Sequence, residues 1–503
     1  MTDAHREIER KLRVDALFRL PPLTELEGVQ SVEAQPTVTL HNHYFDTPDL
    51  RLFRWGITLR RREGGGDEGW HLKIPVGDAD SGARDEIRAP LQPELPEELR
   101  GLITAFVRDE EPVPLVTLRT ERTPYLLHDE SGVVRGELVD DSVTVLDGHR
   151  TVAMFRELEV EAVPDFNGFL DEDFIDHVAE ALAECGAVPS TMSKAATALG
   201  PRTLAPPDIP TLPWPRRRDP VGDTVHVFLA QHVRRLILED LRVRRDLPDA
   251  VHQMRVNARR LRSGLKAFRT FIDPEVADHL RVELGWMASG LGEARDAEVL
   301  GERLDQHAQE LPMPQAREAQ EIVDAHVRLR VAEGALDAGA VLNSDRYRAL
   351  LVELVAVAQR PPLTRAAEQP SGKALTAALT KSTTRLERAV AALSTDGPAE
   401  PWHEARIVAK RARYLAEACA PVLGKRTRTL AVTLAEVTDV LGTHHDAHIA
   451  QLTLAALARE ADGVGGFALG MLQQVEVSAE RADRREFERL WPSVTRAIRR
   501  TRE

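Results

Sequence analysis

Seven prolines crowd one short stretch of this chain: Pro201, Pro206, Pro207, Pro210, Pro213, Pro215 and Pro220. Each fixes φ and removes a backbone donor, so neither a helix nor a central strand runs through them. The stretch is expected to be extended chain, a linker over residues 201–220. The apolar pattern differs on its two sides. Upstream, short segments alternate polar and apolar residues between Gly- and Pro-marked turns, as strands do. Downstream the period is near 3.6, and Ala, Leu, Arg and Glu are abundant. The expected fold class is α+β, with a β domain over residues 1–200 and an all-α helical bundle over 221–503. At 503 residues and 43% hydrophobic content the chain has material for two cores.

Charge and cysteine usage narrow the function classes. The formal charge of −14 argues against a nucleic-acid binder, so no specific nucleic acid partner is expected. A polyanion ligand is still compatible, because a cleft can carry a local field opposite to the global sign. No apolar run spans a bilayer and the first residues lack a signal-peptide core, so no membrane partner is expected. Cys185 and Cys419 lie far apart without metal-ligand spacing, which indicates neither a disulfide framework nor a zinc site. The expected setting is the cytoplasm.

Candidate strands of the first domain fall roughly at 5–14, 37–46, 56–63, 69–76, 84–90, 115–128, 133–146 and 154–163, with a helix near 171–184. Their up-and-down spacing suggests an antiparallel barrel or a strongly curved sheet. Several carry charges at every second position, hence on one face. Glu7, Glu9 and Lys11 share a face, as do Arg60 and Arg62. His71 pairs with Lys73 in this way, Arg84 with Glu86 and Arg88, and Glu157 with Glu159 and Glu161. Apolar residues at 59, 72, 74, 87, 158 and 160 take the opposite face. One such strand is commonly a solvated face or a charged edge. Across the set, carboxylates gather on the first and last strands and cations on the middle ones. That segregation suits a divalent cation held by oxygen ligands beside a polyphosphate held by Arg and Lys.

These residues resemble a known family. Glu7-x-Glu9-x-Lys11, Tyr44-Phe45-Asp46-Thr47-Pro48, Leu59-Arg60-x-Arg62, Leu72-Lys73-Ile74-Pro75, Arg84-x-Glu86, Glu157-x-Glu159-x-Glu161 and Ser193-Lys194 are similar, in order and spacing, to the CYTH domain of triphosphate tunnel metalloenzymes. The resemblance covers roughly residues 3–200. It implies an eight-stranded antiparallel tunnel binding a triphosphate with Mg²⁺ or Mn²⁺. It also implies substrates such as inorganic tripolyphosphate, a nucleoside triphosphate, thiamine triphosphate, or ATP in the cyclase branch. By position, Lys11, Arg60, Arg62, Lys73, Arg84, Arg122 and Lys194 would cradle phosphates. Glu7, Glu9, Glu157, Glu159 and Glu161 would bind or orient the metal, with Asp140 or Asp141. Glu7, Glu9, Lys11, Lys73 and Glu159 would carry the catalysis, and His71 reads as a neighbour of Lys73 rather than a base.

The helical half contains an internal repeat. His252-x-x-Arg255-x-x-x-Arg259-Arg260-x-Arg262 recurs as His403-x-x-Arg406-x-x-x-Lys410-Arg411-x-Arg413, an offset of 151. Leu291-Gly292-Glu293-Ala294-Arg295-Asp296 recurs as Leu441-Gly442-Thr443-His444-His445-Asp446, an offset of 150. Two copies of one unit, about 221–365 and 366–503, are expected around a pseudo-two-fold axis. His252, Arg255, Arg259, Arg262 and Lys266 form one cationic helix stripe. His403, Arg406, Lys410 and Arg413 repeat it, with Glu417 in place of the last lysine. Such stripes are commonly solvated faces, but these two lack interspersed carboxylates, and unrelieved like charges cost stability unless a polyanion binds.

This half resembles the CHAD domain over roughly residues 221–500. The resemblance implies binding of long-chain inorganic polyphosphate through a basic face, and an association with polyphosphate granules. His444 and His445 are expected to be polar residues at a helix cap. Taken together, the expected function is a metal-dependent triphosphatase joined to a polyphosphate-binding domain. Two other readings stand beside it: a non-catalytic polyphosphate-localising protein, and a tunnel-type adenylate cyclase.

Overall fold

A computed structural model describes residues 3–76, 83–164 and 169–503, the first five of them by backbone alone. It resolves two compact units, residues 1–208 and 209–503. The prolines that separate the sequence patterns are not loose chain. On the first unit, buried Asp208 accepts from Trp55 Nε1 at 2.8 Å and Arg108 Nη2 at 2.5 Å. On the second, Arg234 donates to the carbonyl of fully buried Ile209 at 2.9 Å.

The first unit is a closed antiparallel barrel. Its strands are β1 (Asp3–Val14), β2 (Ser31–Ala34), β3 (Val38–Asp46), β4 (Thr58–Glu63), β5 (Gly69–Pro75), β6 (Ala83–Ala89), β7 (Val113–His128), β8 (Val134–Asp147), β9 (Arg150–Ala162) and β10 (Val188–Ser190). The ring runs β1-β6-β5-β4-β3-β7-β8-β9 and closes through β9 onto β1. It therefore has the expected eight strands, and β2 and β10 attach outside it, to β7 and β1. The short β2 and β10 carry no alternation long enough to read from sequence.

Period-two alternation decides what each face of the barrel does. Ile8, Leu12, Leu138, Leu158 and Val160 point outward and pack under α3 (Glu172–Glu184) with Phe174, Ile175, Val178 and Leu182. The inward face changes character along the strands. At one end Leu118, Val143 and Val145 meet Tyr44 and Ala195, the latter from the short helix Lys194–Leu199 that plugs the barrel. Further along the same strands, four residues on from Leu118 and two from Val143, the inward side chains are Arg122 and Asp141, and the apolar plug gives way to charge.

The Tyr44-Phe45-Asp46-Thr47-Pro48 motif is a structural clamp. Fully buried Asp46 accepts from the backbone N–H groups of Thr47, Leu52 and Phe53 at 2.6, 2.9 and 2.8 Å. It thereby caps the one-turn helix Arg51–Arg54 and fixes the exit of β3. Asp46→Ala leaves those donors unsatisfied and should destabilise the protein by about 2–4 kcal/mol. Urea unfolding followed by tryptophan fluorescence checks this, with Asp46→Asn expected to recover part of the loss.

The second unit is all helical. In chain order after the barrel's helices α1 (Arg51–Arg54), α2 (Glu97–Val107), α3 and α4 (Lys194–Leu199) come α5 (Val221–Arg244), α6 (Ala250–Ala267), α7 (Pro274–Gly290), α8 (Glu293–Ala308), α9 (Met313–Leu342), α10 (Asp345–Gln359), α11 (Ser371–Ala391), α12 (Ala399–Leu423), α13 (Lys425–Glu460) and α14 (Gly463–Arg502). The entries to α5 and α11 form an antiparallel bridge, Pro220 opposite Pro370, and Thr224 Oγ1 lies 3.0 Å from Ser371 Oγ. Among the described residues no helix is long and apolar enough to cross a membrane.

His444 and His445 do not cap a helix; they lie in the interior of α13, which runs unbroken through Gly442. The equivalent glycine of the first copy, Gly292, does separate two helices, α7 and α8. The surroundings of the two glycines differ as well. A Cβ at Gly292 would stand 2.7 Å from the Arg255 guanidinium, whereas nothing lies within 4 Å at Gly442.

Candidate functional site in the barrel lumen

Strand register brings the charged faces into one space. Across β1 and β9, Glu9 stands opposite Glu161 and Lys11 opposite Glu159. Across β8 and β9, Asp141 stands opposite Glu157 and Glu137 opposite Glu161. On the other wall Lys73 faces Glu86, and Arg60 faces His71, which in turn faces Arg88. The result is a lumenal cavity of about 210 Å³ lined by Glu9, Glu159 and Glu161 on one side and by Arg60, Arg62, Lys73, Arg84 and Arg88 on the other. Lys11, Arg122 and Lys194 also line it. The side chain of Glu7 lies outside the described residues; its backbone pairs with Arg84.

The carboxylates divide into two groups. Glu9, Glu159 and Glu161 each offer an oxygen within 4.8 Å of the others. This all-oxygen donor set fits a hard divalent cation. Asp141 and Glu157 turn away from that group and are held by Lys194. Its Nζ lies 2.9 Å from Asp141, 2.8 Å from Glu157 and 2.8 Å from Glu159. Arg122 binds both oxygens of Asp141, at 3.0 and 2.7 Å, and reaches Glu159 at 3.0 Å. Asp140 points outward to Arg156, at 2.8 and 2.6 Å.

Proton affinities follow these contacts. Burial alone would raise Glu159, but Lys194, Lys11 and Arg122 hold it well below the usual carboxylate range. Burial is likewise outweighed at Asp141 by Lys194 and Arg122, so Asp141 stays low. Glu161 goes the other way: burial, then Glu159 and Glu9, push it up to about 7.

The cationic wall is organised by a residue that the sequence pattern leaves without a role. Glu86, 0% exposed, accepts from Arg60 at 3.2 Å, His71 Nδ1 at 3.0 Å and Arg88 Nε at 2.6 Å, with Lys73 Nζ at 3.6 Å. Burial would raise its pKa, yet His71, Lys73 and Arg60 keep Glu86 ionised far into acid. His71 is 1% exposed, and its Nε2 lies 2.9 Å from the Asp67 carbonyl, so it braces Glu86 rather than facing solvent. Asp67, in the β4–β5 turn, pairs with Arg62, whose Nε donates to Asn42 at 3.0 Å. Cross-strand partners such as Asn42 and Arg62 become visible only once register is known.

In the helical unit the two stripes meet. Arg259 of α6 donates to the Tyr414 hydroxyl of α12 at 3.1 Å. Burial, then Arg406 and Arg259, push Lys410 down to about 8. Arg262 and Lys266 are lowered by burial and by neighbouring cations, Arg281 and Arg411 among them. Two stripe residues do find carboxylates, contrary to the pattern expected from the stripes alone. Arg255 is bidentate to Asp296, at 2.8 and 2.9 Å, and Arg413 pairs with Glu417 at 2.8 Å and Asp439 at 3.0 Å. Asp296 and Asp439 come from other helices, beyond what one helix face shows, whereas Glu417 is the i+4 neighbour of Arg413 on the stripe itself. His403 stacks loosely on His445, ring centroids 4.9 Å apart.

The raised pKa of Glu161 has a stability consequence. The folded value of about 7 exceeds the ordinary 4.5, so its protonated form stabilises the fold. That contribution is complete below about pH 4.5 and is lost as the pH rises through about 7. Glu161→Gln, which cannot ionise, should therefore stabilise the metal-free protein at pH 8 by about 1–3 kcal/mol and change little at pH 5. Thermal melts at both pH values in EDTA read this out; an equal shift at both would indicate a packing effect instead.

Comparison with known proteins agrees with this architecture. A family model of the CYTH domain matches residues 5–177, and one of the CHAD domain matches residues 228–455. The uncharacterized protein MT2285 of Mycobacterium tuberculosis (strain CDC 1551 / Oshkosh) is 33% identical over 527 residues, which covers 99% of this chain and 98% of that protein. Among solved structures, PptA from Streptomyces chartreusis is 26% identical with a TM-score of 0.48, covering 54% of this chain and 99% of that one. The CHAD domain from the plant Ricinus communis is 24% identical with a TM-score of 0.43, covering 55% and 94%. CYTH domains are tunnel enzymes that act on triphosphates and use divalent metal ions. With the charged tunnel at its N-terminal end and the helical unit after it, the chain belongs to the family of CYTH–CHAD fusion proteins.

Proposed function

We propose that the barrel is a metal-dependent triphosphatase that hydrolyses inorganic tripolyphosphate or a related triphosphate, and that the helical unit binds inorganic polyphosphate. The observation that carries this reading is the two-walled lumen, a carboxylate trio facing a bank of guanidinium and ammonium groups across one cavity. Glu9, Glu159 and Glu161 would hold Mg²⁺ or Mn²⁺. When bound, the ion supplies positive charge at the phosphate oxygens of the reacting bond. Arg60, Arg62, Lys73, Arg84 and Lys11 grip the triphosphate, with Arg forks taking pairs of oxygens and Lys acting as point charges. Lys194 and Arg122 fix Glu159 and neutralise Asp141 and Glu157 behind it. Water attacks the terminal phosphorus, the P–O–P bridge breaks, and orthophosphate leaves from the diphosphate remainder. Phosphoryl transfer of this kind needs positioning and charge rather than a covalent nucleophile.

Incubation with Mg²⁺ or Mn²⁺ and tripolyphosphate, ATP or long-chain polyphosphate tests the assignment by its products. Orthophosphate is expected; cyclic AMP with pyrophosphate would indicate a cyclase, and tight binding without turnover a localising module. Glu9→Ala or Lys73→Ala should lower turnover by at least about a hundredfold with the fold retained, as loss of a charge-stabilising group does. Unchanged turnover in both variants would sink the reading.

For the helical unit, the stripes of α6 and α12 gather like charges that Asp296, Glu417 and Asp439 relieve only at Arg255 and Arg413, and a polyanion would relieve the rest. Replacing Arg255, Arg259, Arg406 and Lys410 together by Ala should weaken polyphosphate binding and flatten its dependence on salt. The depressed Lys410, at about 8, adds a pH signature. A bound polyanion favours the charged ammonium, so binding takes up a proton near pH 8 and weakens between pH 7 and pH 9. Isothermal titration in two buffers of different ionisation enthalpy measures that uptake.

A further inference from the structure

Between α5, α6 and α12 lies a second cavity, about 340 Å³, that the polyanion stripes do not use. Its lining is unlike a phosphate channel. Three aromatic side chains, Trp214, Phe228 and Tyr414, line it, and His232 stands edge-on to Phe228 at 4.5 Å between ring centroids. Bare polyphosphate has no apolar surface to bury there, so the rings call for a planar organic group.

The polar groups complete the specification. His232 is buried, and burial pushes it down to about 4, so the imidazole is neutral near pH 7. Its Nδ1 lies 3.3 Å from Asn257 Oδ1 and donates to it, which leaves Nε2 as an acceptor. Glu417, the residue that breaks the match between the two stripes, adds a second acceptor to the cavity wall. It pairs with Arg260 Nη2 at 3.3 Å and with Arg413. Arg260 keeps its Nε buried with no hydrogen-bond partner, and Arg235 lines the same wall with an exposed side chain. A ligand that satisfies all of these has a flat heteroaromatic ring bearing N–H donors, together with an anionic group.

We infer that this cavity is a binding site for a nucleotide, with the base stacked among Trp214, Phe228 and Tyr414. The base edge meets His232 and Glu417, and the phosphate meets Arg235 and Arg260. The volume lies within the range of small-molecule sites. The Tyr414 hydroxyl that receives Arg259 joins the cavity to the cationic stripe, so occupancy here reaches a residue of the polyanion face.

Calorimetric titration of the full chain with AMP, GMP, CMP and UMP, and with adenosine, guanosine and inorganic phosphate as controls, tests the inference. A purine mononucleotide should bind with a dissociation constant in the micromolar range, and its nucleoside and free phosphate at least about tenfold more weakly. Trp214→Ala and Arg260→Ala should each weaken that binding about tenfold or more. Arg235→Ala, on an exposed side chain that the fold does not need, should weaken it severalfold. No binding of any mononucleotide up to millimolar concentration would overturn the proposal. So would affinity unchanged in Trp214→Ala, Arg260→Ala and Arg235→Ala. Binding that vanishes with Lys73→Ala but survives Arg260→Ala would put the nucleotide in the tunnel and also overturn it.

Discussion

Burying a carboxylate costs several kcal/mol unless cations share its space, and Glu159 is buried among other carboxylates in the lumen. Three ammonium or guanidinium groups converge on it, from Lys11 on β1, Arg122 on β7 and Lys194 at the start of the plug helix. Each of those groups also holds a second carboxylate, Lys11 holding Glu9, Arg122 holding Asp141, and Lys194 holding Asp141 and Glu157. Lys194 shows the dependence best. It reaches Asp141, Glu157 and Glu159 only because Ala195 anchors its helix among Tyr44, Leu118 and Val143. The apolar plug and the charged lumen are thus one construction, since the plug places the ammonium and the ammonium makes the acidic wall tolerable.

The same balance bears on what the lumen admits. Several of the lumen's cations are already engaged by carboxylates, Lys11 by Glu9 and Glu159 and Lys73 and Arg60 by Glu86, so a lone anion has to compete for them. A triphosphate alone would have to draw Lys11 and Lys73 from Glu9 and Glu86. A divalent ion at Glu9, Glu159 and Glu161 returns the positive charge that such a rearrangement removes. On the proposed function, anion and metal enter as a neutralising pair, and each makes the site for the other. Glu86 limits how far the cationic wall can shift, because it ties Arg60, Arg88 and His71 to one buried point.

Much of this was legible in the sequence because strands write their two faces at period two. The eight ring strands and the charged positions on them follow from that alternation, and closure of the sheet decides that the charged face is the inner one. Pairing between strands is another matter. Glu86 reads as one charge in an Arg84–Glu86–Arg88 run until register sets it against Lys73 and His71. Asp46 sits in a recognisable motif, but its work is on the backbone amides of Thr47, Leu52 and Phe53, which no side-chain pattern reveals. The split between the metal-competent trio and the pair held by Lys194 is likewise a matter of distances of a few ångströms along one strand.

In the helical unit the repeat is plain in the sequence and its asymmetry is not. Copying a helical unit reproduces its stripes, but each copy then adjusts to its own neighbours. In the first copy Arg255 packs against Gly292 and pairs with Asp296, and the chain breaks between α7 and α8 at that point. In the second, the helix runs on, and His444 is buried against Trp402 with its Nε2 accepting from Arg484 at 3.1 Å. Burial, with Arg484 beside it, pushes His444 down to about 4, so it is a neutral packing group rather than a sensor near neutrality. Glu417 is the sharpest departure. A lysine there would stand beside Arg260 and Arg413 and add to their repulsion, whereas the carboxylate neutralises both and gives the aromatic cavity its acceptor. The substitution that makes the second stripe weaker as a polyanion surface is the one that makes its other side competent for a different ligand.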